Sequence, residues 1–280
     1  MKFSPKALAG NVNVSSGHPL TELAWLLGGL LTLLLAVYLA FWLISELFAP
    51  RVPVAVEIWA GQHLLGQLTQ ESNPALQQRL NGLLAVVPAE SPLHRYNFSI
   101  SVMDKEEINA LALPGGHIVI FSGLLKEIRS ENELAMILGH ELGHYARRDH
   151  LRGMGRGLGT TLLLATLFGR DSGATGISSR FFSSLEMHYS QQQETAADTF
   201  GLQLLVARYG HAGGAGDFFE RLAGNAGNRF EYLLASHPHP HARIASLQQL
   251  ITVAGYRQAE TLPLQGEKLF IDQDQAITKP

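Results

Sequence analysis

The chain contains no cysteine. Disulfides, thiolate-bound zinc and cysteine nucleophiles are therefore excluded, and any metal site has to be built from His, Asp and Glu. There is no basic excess either. Lys and Arg total 21 against 24 Asp and Glu, a formal net charge of −3, which argues against nucleic acid as the main partner. Charged residues are sparse at 16%, whereas 46% of the 280 residues are apolar, enough for a sizeable core. No internal repeat and no low-complexity tract interrupts the chain.

What is present first is a long apolar run. After a short tail (1–22), residues 23–45 carry no charge. As a helix they measure about 34 Å at 1.5 Å per residue, enough to cross a hydrocarbon core of about 30 Å. Trp25 lies near one end, and Tyr38, Phe41 and Trp42 towards the other, where interfacial aromatics belong. The run exceeds a signal-peptide core and no A-x-A cleavage site follows, so it reads as a retained transmembrane helix. Lys2 and Lys6 precede it and Arg51 follows. The positive-inside rule then places the N-terminus in the cytoplasm and the body outside. In a Gram-negative cell that is a single-pass inner-membrane protein with a periplasmic body. A second apolar run, 157–169, is too short to span. It reads as a buried helix or as a segment dipping into the membrane surface. Arg148, Arg152 and Arg156 precede it at helical spacing, facing either anionic lipid or, as the better reading, water.

The body, 51–255, mixes helix and strand, with a polar tail over 256–280. Residues 54–60 and 96–103 read as strands from their β-branched and aromatic content. Residues 73–87 read as a helix capped by Asn73 with Pro74 in its first position. Residues 108–125 read as strand, Pro-Gly-Gly turn, strand and helix start. A helix after Gly214, a histidine-rich loop (236–241) and a last helix complete the body.

The informative stretch is "SENELAMILGHELGHYARRDH", 130–150. Ser130 and Glu133 form a capping-box pattern. His140 and His144 are then one helical turn apart on one face, about 5–6 Å apart at their bases, which suits two ligands of one ion. Glu141, offset by one position, is placed to take a proton from metal-activated water. Gly143 would leave room beside the metal. Downstream, "ETAAD" sets Glu194 and Asp198 one turn apart on another partly apolar helix. Two buried carboxylates would repel and cost desolvation unless a cation resolves the conflict. Glu194 then completes a His₂Glu set with a fourth position for water, and Asp198 accepts from a ligand imidazole.

These residues resemble the membrane-associated zinc metallopeptidases related to HtpX, BepA and the CAAX prenyl-protein protease. "NALALPGGHIVIFSGLL" (109–125) resembles that family's N-A-x-x-x-P-G-G segment, and "SHPHPHARI" (236–244) its H-P-x-x-x-x-R-I segment. The resemblance covers about residues 95–250. It implies a gluzincin fold, so that the chain as a whole reads as α+β: the N-terminal transmembrane helix followed by a mainly helical metalloprotease domain with a small β-sheet. It implies one Zn2+ per chain, held by His140, His144 and Glu194, with Glu141 as base and His237 stabilising the transition state. Arg243 would support the site or the substrate. Asn109, Ala110, Leu111 and Ala112 would hold substrate as an added strand. His239 and His241 are alternatives to His237, or ligands in a resting enzyme.

The resulting expectation is a membrane-anchored zinc endopeptidase that hydrolyses misfolded, membrane or envelope proteins in quality control. A single clear span sets the chain apart from the multi-spanning relatives and away from prenyl-protein processing. The rival readings are a membrane-tethered chaperone or adaptor with a structural zinc, and a metal hydrolase for non-peptide bonds. Residues 169–190, with Phe181 and Phe182 among Gly and Ser, read as a gate, a lipid contact or a flexible connection. His117, His150, His188 and His211 read as ordinary surface or packing histidines.

Overall fold

The computed structural model describes residues 18–66, 70–168, 189–224, 233 and 236–265. Lys2, Lys6, Phe181, Phe182 and His188, most of the loop 169–190 and the end of the tail lie outside those residues. Helix α1 (Pro19–Phe48) starts at His18, whose ring accepts from the Leu20 amide, with Pro19 in the first turn. Among the described residues it is the one helix long and apolar enough to cross a membrane. Most of its apolar side chains from Leu20 to Leu47 stand exposed, with Leu34, Val37 and Phe41 half-buried.

Residues 54–60, expected as a strand, form helix α2 (Val54–Leu65) instead. The reason lies in which residues are covered. Glu57 and Gly61 are buried and Val54 and Ile58 partly so, while Val56 and Trp59 face outward. That spacing is helical, and it is set by tertiary contacts rather than by β-propensity. Glu57, 1% exposed, accepts from Tyr96 Oη at 3.0 Å and pairs with Arg148 at 3.1 Å and His150 at 3.2 Å. A central buried carboxylate with three partners outweighs the preference of two valines.

Helix α3 (Pro74–Leu84) has the expected Asn73 cap, 3.0 Å from the Leu76 amide, and buries Leu76, Leu80 and Leu83. Strands β1 (Glu71–Ser72), β2 (Ser99–Met103), β3 (Ala110–Leu113) and β4 (His117–Phe121) form one sheet in the order β1-β2-β4-β3. β2 and β4 are parallel and the other pairs antiparallel. Among the described residues β3 is paired on one side only, Ala110 to Ile120 and Ala112 to Ile118. The turn between β3 and β4 needs Gly115 and Gly116, at φ 84° and 93°. Their amide neighbourhood is tied to the histidine helix, because the Gly116 and His117 N–H groups both donate to Tyr145 Oη, at 3.1 and 3.0 Å.

α4 (Ser122–Glu127) leads into α5 (Glu131–Arg147), which carries the histidines. Ser130 accepts from the Glu133 amide at 3.1 Å, so half of the expected capping box forms. The Glu133 carboxylate turns instead to the Arg129 amide and to Arg221. α6 (Asp149–Phe168) packs back along α1, with Gly155 against Ser45 and Gly159 against Phe41. Arg148, Arg152 and Arg156, expected in water or on lipid, each meet a carboxylate: Arg148 that of Glu57, and Arg152 and Arg156 that of Glu46. The acids nearest each guanidinium decide this, since partly covered charges hold to partners.

α7 (Gln191–Tyr209), α8 (Asp217–Gly224) and α9 (Pro240–Ala254) close the body around Leu134, Leu138, Leu142, Leu202 and Leu205. Residues 256–265 run back beside the start of α5, where the Leu262 amide donates to Asn132 Oδ1 at 2.9 Å.

Candidate metal centre

The site exists because α5 and α7 cross at a small-residue contact. A Cβ on Gly139 would lie 2.9 Å from Gly201 Cα, and one on Gly143 2.8 Å from Ala197 Cα. Both are inside the ~3.5–4.0 Å resting distance of carbon pairs. Gly143 therefore makes room for α7, not for a metal as its position in the motif implied. This approach brings the α5 histidines to the α7 carboxylates.

His140, His144, Glu194 and His237 offer donor atoms that all lie within 4.8 Å of one another, and all four side chains are buried. His140 Nε2 is 3.1 Å from His144 Nε2 and 3.2 Å from His237 Nδ1. Glu194 Oε1 is 3.3 Å from His144 Nε2, and its Oε2 is 3.8 Å from His140 Nε2. Four donors at 2.0–2.1 Å around a tetrahedral ion would be about 3.3 Å apart. The His140, His144 and Glu194 donors fit three corners of such a site. Protonation chemistry agrees. Each α5 imidazole turns Nδ1 to a carboxylate, His140 to Asp198 at 2.8 Å and His144 to Asp149 at 3.1 Å. With Nδ1–H donating there, both Nε2 lone pairs face the same point, which a cation suits.

The charges respond accordingly. Burial alone pushes His144 down, but the Asp149 and Glu194 carboxylates outweigh it and raise its pKa to about 9. Burial and the neighbouring Arg243 charge lower that of His140. Burial works against the ionised form of Glu194, yet the surrounding histidines hold its pKa far below the carboxylate range. Asp198, also opposed by burial, is held at about 2 chiefly by Arg243. Arg243 is 2% exposed. It reaches Asp198 through Nε at 2.8 Å and Nη2 at 2.6 Å, Glu194 through Nη1 at 2.8 Å, and stacks over Phe219 at 4.1 Å.

Glu141 lies on the open side of the cluster, its Oε1 4.0 Å from His237 Nε2. A small pocket beside it is lined by Ala110, Leu124, Ile137, Phe218, Phe219 and Leu233. Asn109 sits at the start of the edge strand. Its Oδ1 accepts from the Ala110 amide at 2.9 Å, and its buried Nδ2 has no partner among the described residues. Of the histidine-rich loop, His237 is drawn into the donor cluster, while His239 and His241 are exposed at the start of α9.

Sequence reasoning missed Asp149 and Tyr189. Asp149 is fully buried and also accepts from Gln193 and Arg152, each at 3.0 Å. Tyr189 stacks on the His144 ring at 3.8 Å. Asp149 follows Arg148, which ends α5 in a left-handed conformation at φ 57°. Helical spacing from His144 therefore says nothing about where Asp149 points.

The profile of peptidase family M48 matches residues 70–251, more than half of the chain. Among curated proteins, mitochondrial metalloendopeptidase OMA1 of Arabidopsis thaliana is 31% identical over 163 residues, 58% of this chain and 33% of that protein. The beta-barrel assembly-enhancing protease of Escherichia coli (strain K12) is 26% identical over 199 residues, 66% and 40% of the two chains. Metalloprotease YcaL of the same strain is 32% identical over 158 residues, 50% and 59%. The chain thus spans a third to two fifths of the length of the first two of these relatives.

Proposed function

The chain belongs to peptidase family M48, and from that premise we propose that it is a membrane-anchored, zinc-dependent endopeptidase acting on membrane or envelope polypeptides, in protein quality control. The observation that carries this reading is the buried convergence of His140, His144, Glu194 and His237, with Glu141 beside it. His140, His144 and Glu194 would hold the ion, and Asp198 and Asp149 would fix the imidazole tautomers. Bound zinc supplies Lewis acidity, lowering the pKa of water from 15.7 towards about 7 and polarising the scissile carbonyl. Glu141 takes the water proton and passes it to the leaving amine. His237, with Nδ1 3.1 Å from Glu194 and Nε2 on the Glu141 side, would stand beside the scissile carbonyl and stabilise the developing oxyanion. Arg243 bridges the two α7 carboxylates, offsetting one of their two charges, and keeps them in register.

Substrate would add as a strand to the free edge of β3, along Ala110, Leu111 and Ala112. The unpaired Asn109 amide is a donor for its backbone. Recognition through main-chain hydrogen bonds implies weak sequence selectivity, in keeping with a quality-control role. α1 would anchor the chain in a bacterial inner membrane, with the body in the periplasm. The test is Glu141→Gln in the full chain. It should keep its zinc and its fold and lose casein cleavage, whereas undiminished cleavage would remove Glu141 from the role of base.

A further inference from the structure

A second cavity, about 480 Å3, lies between α1, α6 and the start of α7. It falls within the roughly 300–1,000 Å3 of small-ligand sites. It is separate from the proteolytic cleft: Tyr189 lines it on one side and stacks on His144 with the other. α1 contributes Tyr38, Trp42 and Glu46 to the wall, and the α5–α6 junction and α6 contribute Arg147, Asp149, Arg152 and Arg156. Among the described residues, three guanidinium groups against two carboxylates leave one positive charge. Glu46 engages Arg152 at 2.8 Å and Arg156 at 3.6 Å, and Asp149 engages Arg152 at 3.0 Å. Arg147 is the most exposed of the three, and among the described residues its nearest carboxylate oxygen is 3.9 Å away.

Depth is the second observation. Tyr38 and Trp42 occupy the last turns of the apolar helix, where amphipathic rings mark the headgroup level. The cavity therefore opens at the height of lipid phosphates, on the reading of α1 as a membrane helix. Planar guanidinium forks match phosphate oxygens better than any other side chain. We propose that this cavity binds a phosphate-bearing anion, the phosphodiester headgroup of an anionic membrane lipid, with Arg147 and Arg156 as its ligands. The single charge of a phosphodiester equals the cavity's excess. The long contact of Arg147 with Asp149 lets it turn to the ligand, and Arg156 lines the same wall.

Native mass spectrometry of the full chain in neutral detergent tests this, with phosphatidylglycerol, phosphatidylcholine or inorganic phosphate added. The wild type should retain one phosphatidylglycerol, and Arg147→Gln/Arg156→Gln should weaken that retention about tenfold or more. Zwitterionic phosphatidylcholine should not be held, and millimolar inorganic phosphate should not displace the lipid. Retention by the double variant at the wild-type level, or equal retention of phosphatidylcholine, overturns the site. Displacement by inorganic phosphate overturns the lipid as its source. Should the double variant fail to fold, Gln192→Trp, which fills the cavity without altering a charge, should abolish the same retention. A Gln192→Trp protein that still holds the lipid overturns the proposal.

Discussion

Gly143→Ala probes the helix crossing on which the whole site depends. The added methyl would sit 2.8 Å from Ala197 Cα and 3.0 Å from Ala197 O. Carbon pairs rest at about 3.5–4.0 Å, so α7 has to yield by roughly 0.7–1.2 Å at that point. Overpacking of this kind costs about 1–3 kcal/mol. The better helix preference of alanine returns about 1 kcal/mol. The net expectation is a loss of roughly 0–2 kcal/mol, or up to about 8 °C in Tm for a body of this size. The larger effect falls on metal binding, because Ala197 lies between Glu194 and Asp198. Metal–ligand distances tolerate only about 0.2 Å, so displacing Glu194 should weaken zinc about 10–100-fold. Competition with a chromophoric chelator reads the affinity, and calorimetry reads the stability. A variant with unchanged zinc affinity and a raised Tm would refute the reasoning, since propensity alone would then govern Gly143.

Asp149→Asn should lower zinc affinity about 10–100-fold while leaving Asp198 and the fold intact, as loss of a ligand's carboxylate partner does. An unchanged chelator competition curve would remove Asp149 from the site. In the metal-free protein the His144 pKa is raised to about 9 from an ordinary 6.5. Its contribution to stability is complete below pH 6.5 and is lost as pH rises through 9. The ligand has to be neutral, so between these limits zinc uptake should release about one proton from His144, and affinity should rise about tenfold per pH unit. Calorimetry in buffers of differing ionisation enthalpy measures that proton, and its absence at pH 7 would contradict the charge on His144.

Much of the site was legible because it obeys helical spacing. His140 with His144, and Glu194 with Asp198, are i, i+4 pairs inside uninterrupted helices, and one turn fixes a shared face. The Asn73 cap and the Pro-Gly-Gly turn were legible for the same local reason. What escaped depends on contacts made across the chain. α2 looks like a strand until Glu57 is seen to be held by Tyr96, Arg148 and His150, each from a different stretch. Asp149 follows a left-handed residue that breaks the periodicity. The arginines of α6 showed charge in the sequence, but not the Glu46 that answers it from α1. The motif places Gly143 beside the metal ligands, whereas the neighbour it makes room for is Ala197 on another helix.

The most direct test is zinc titration of the chelator-stripped full chain, with casein cleavage read at each addition beside a Glu194→Ala control. Cleavage should be absent without metal, rise with added zinc and level off at one equivalent, while the control stays inactive and binds zinc poorly. Cleavage by the stripped protein, or a Glu194→Ala chain that binds and cleaves as the wild type does, would contradict the assignment of this centre.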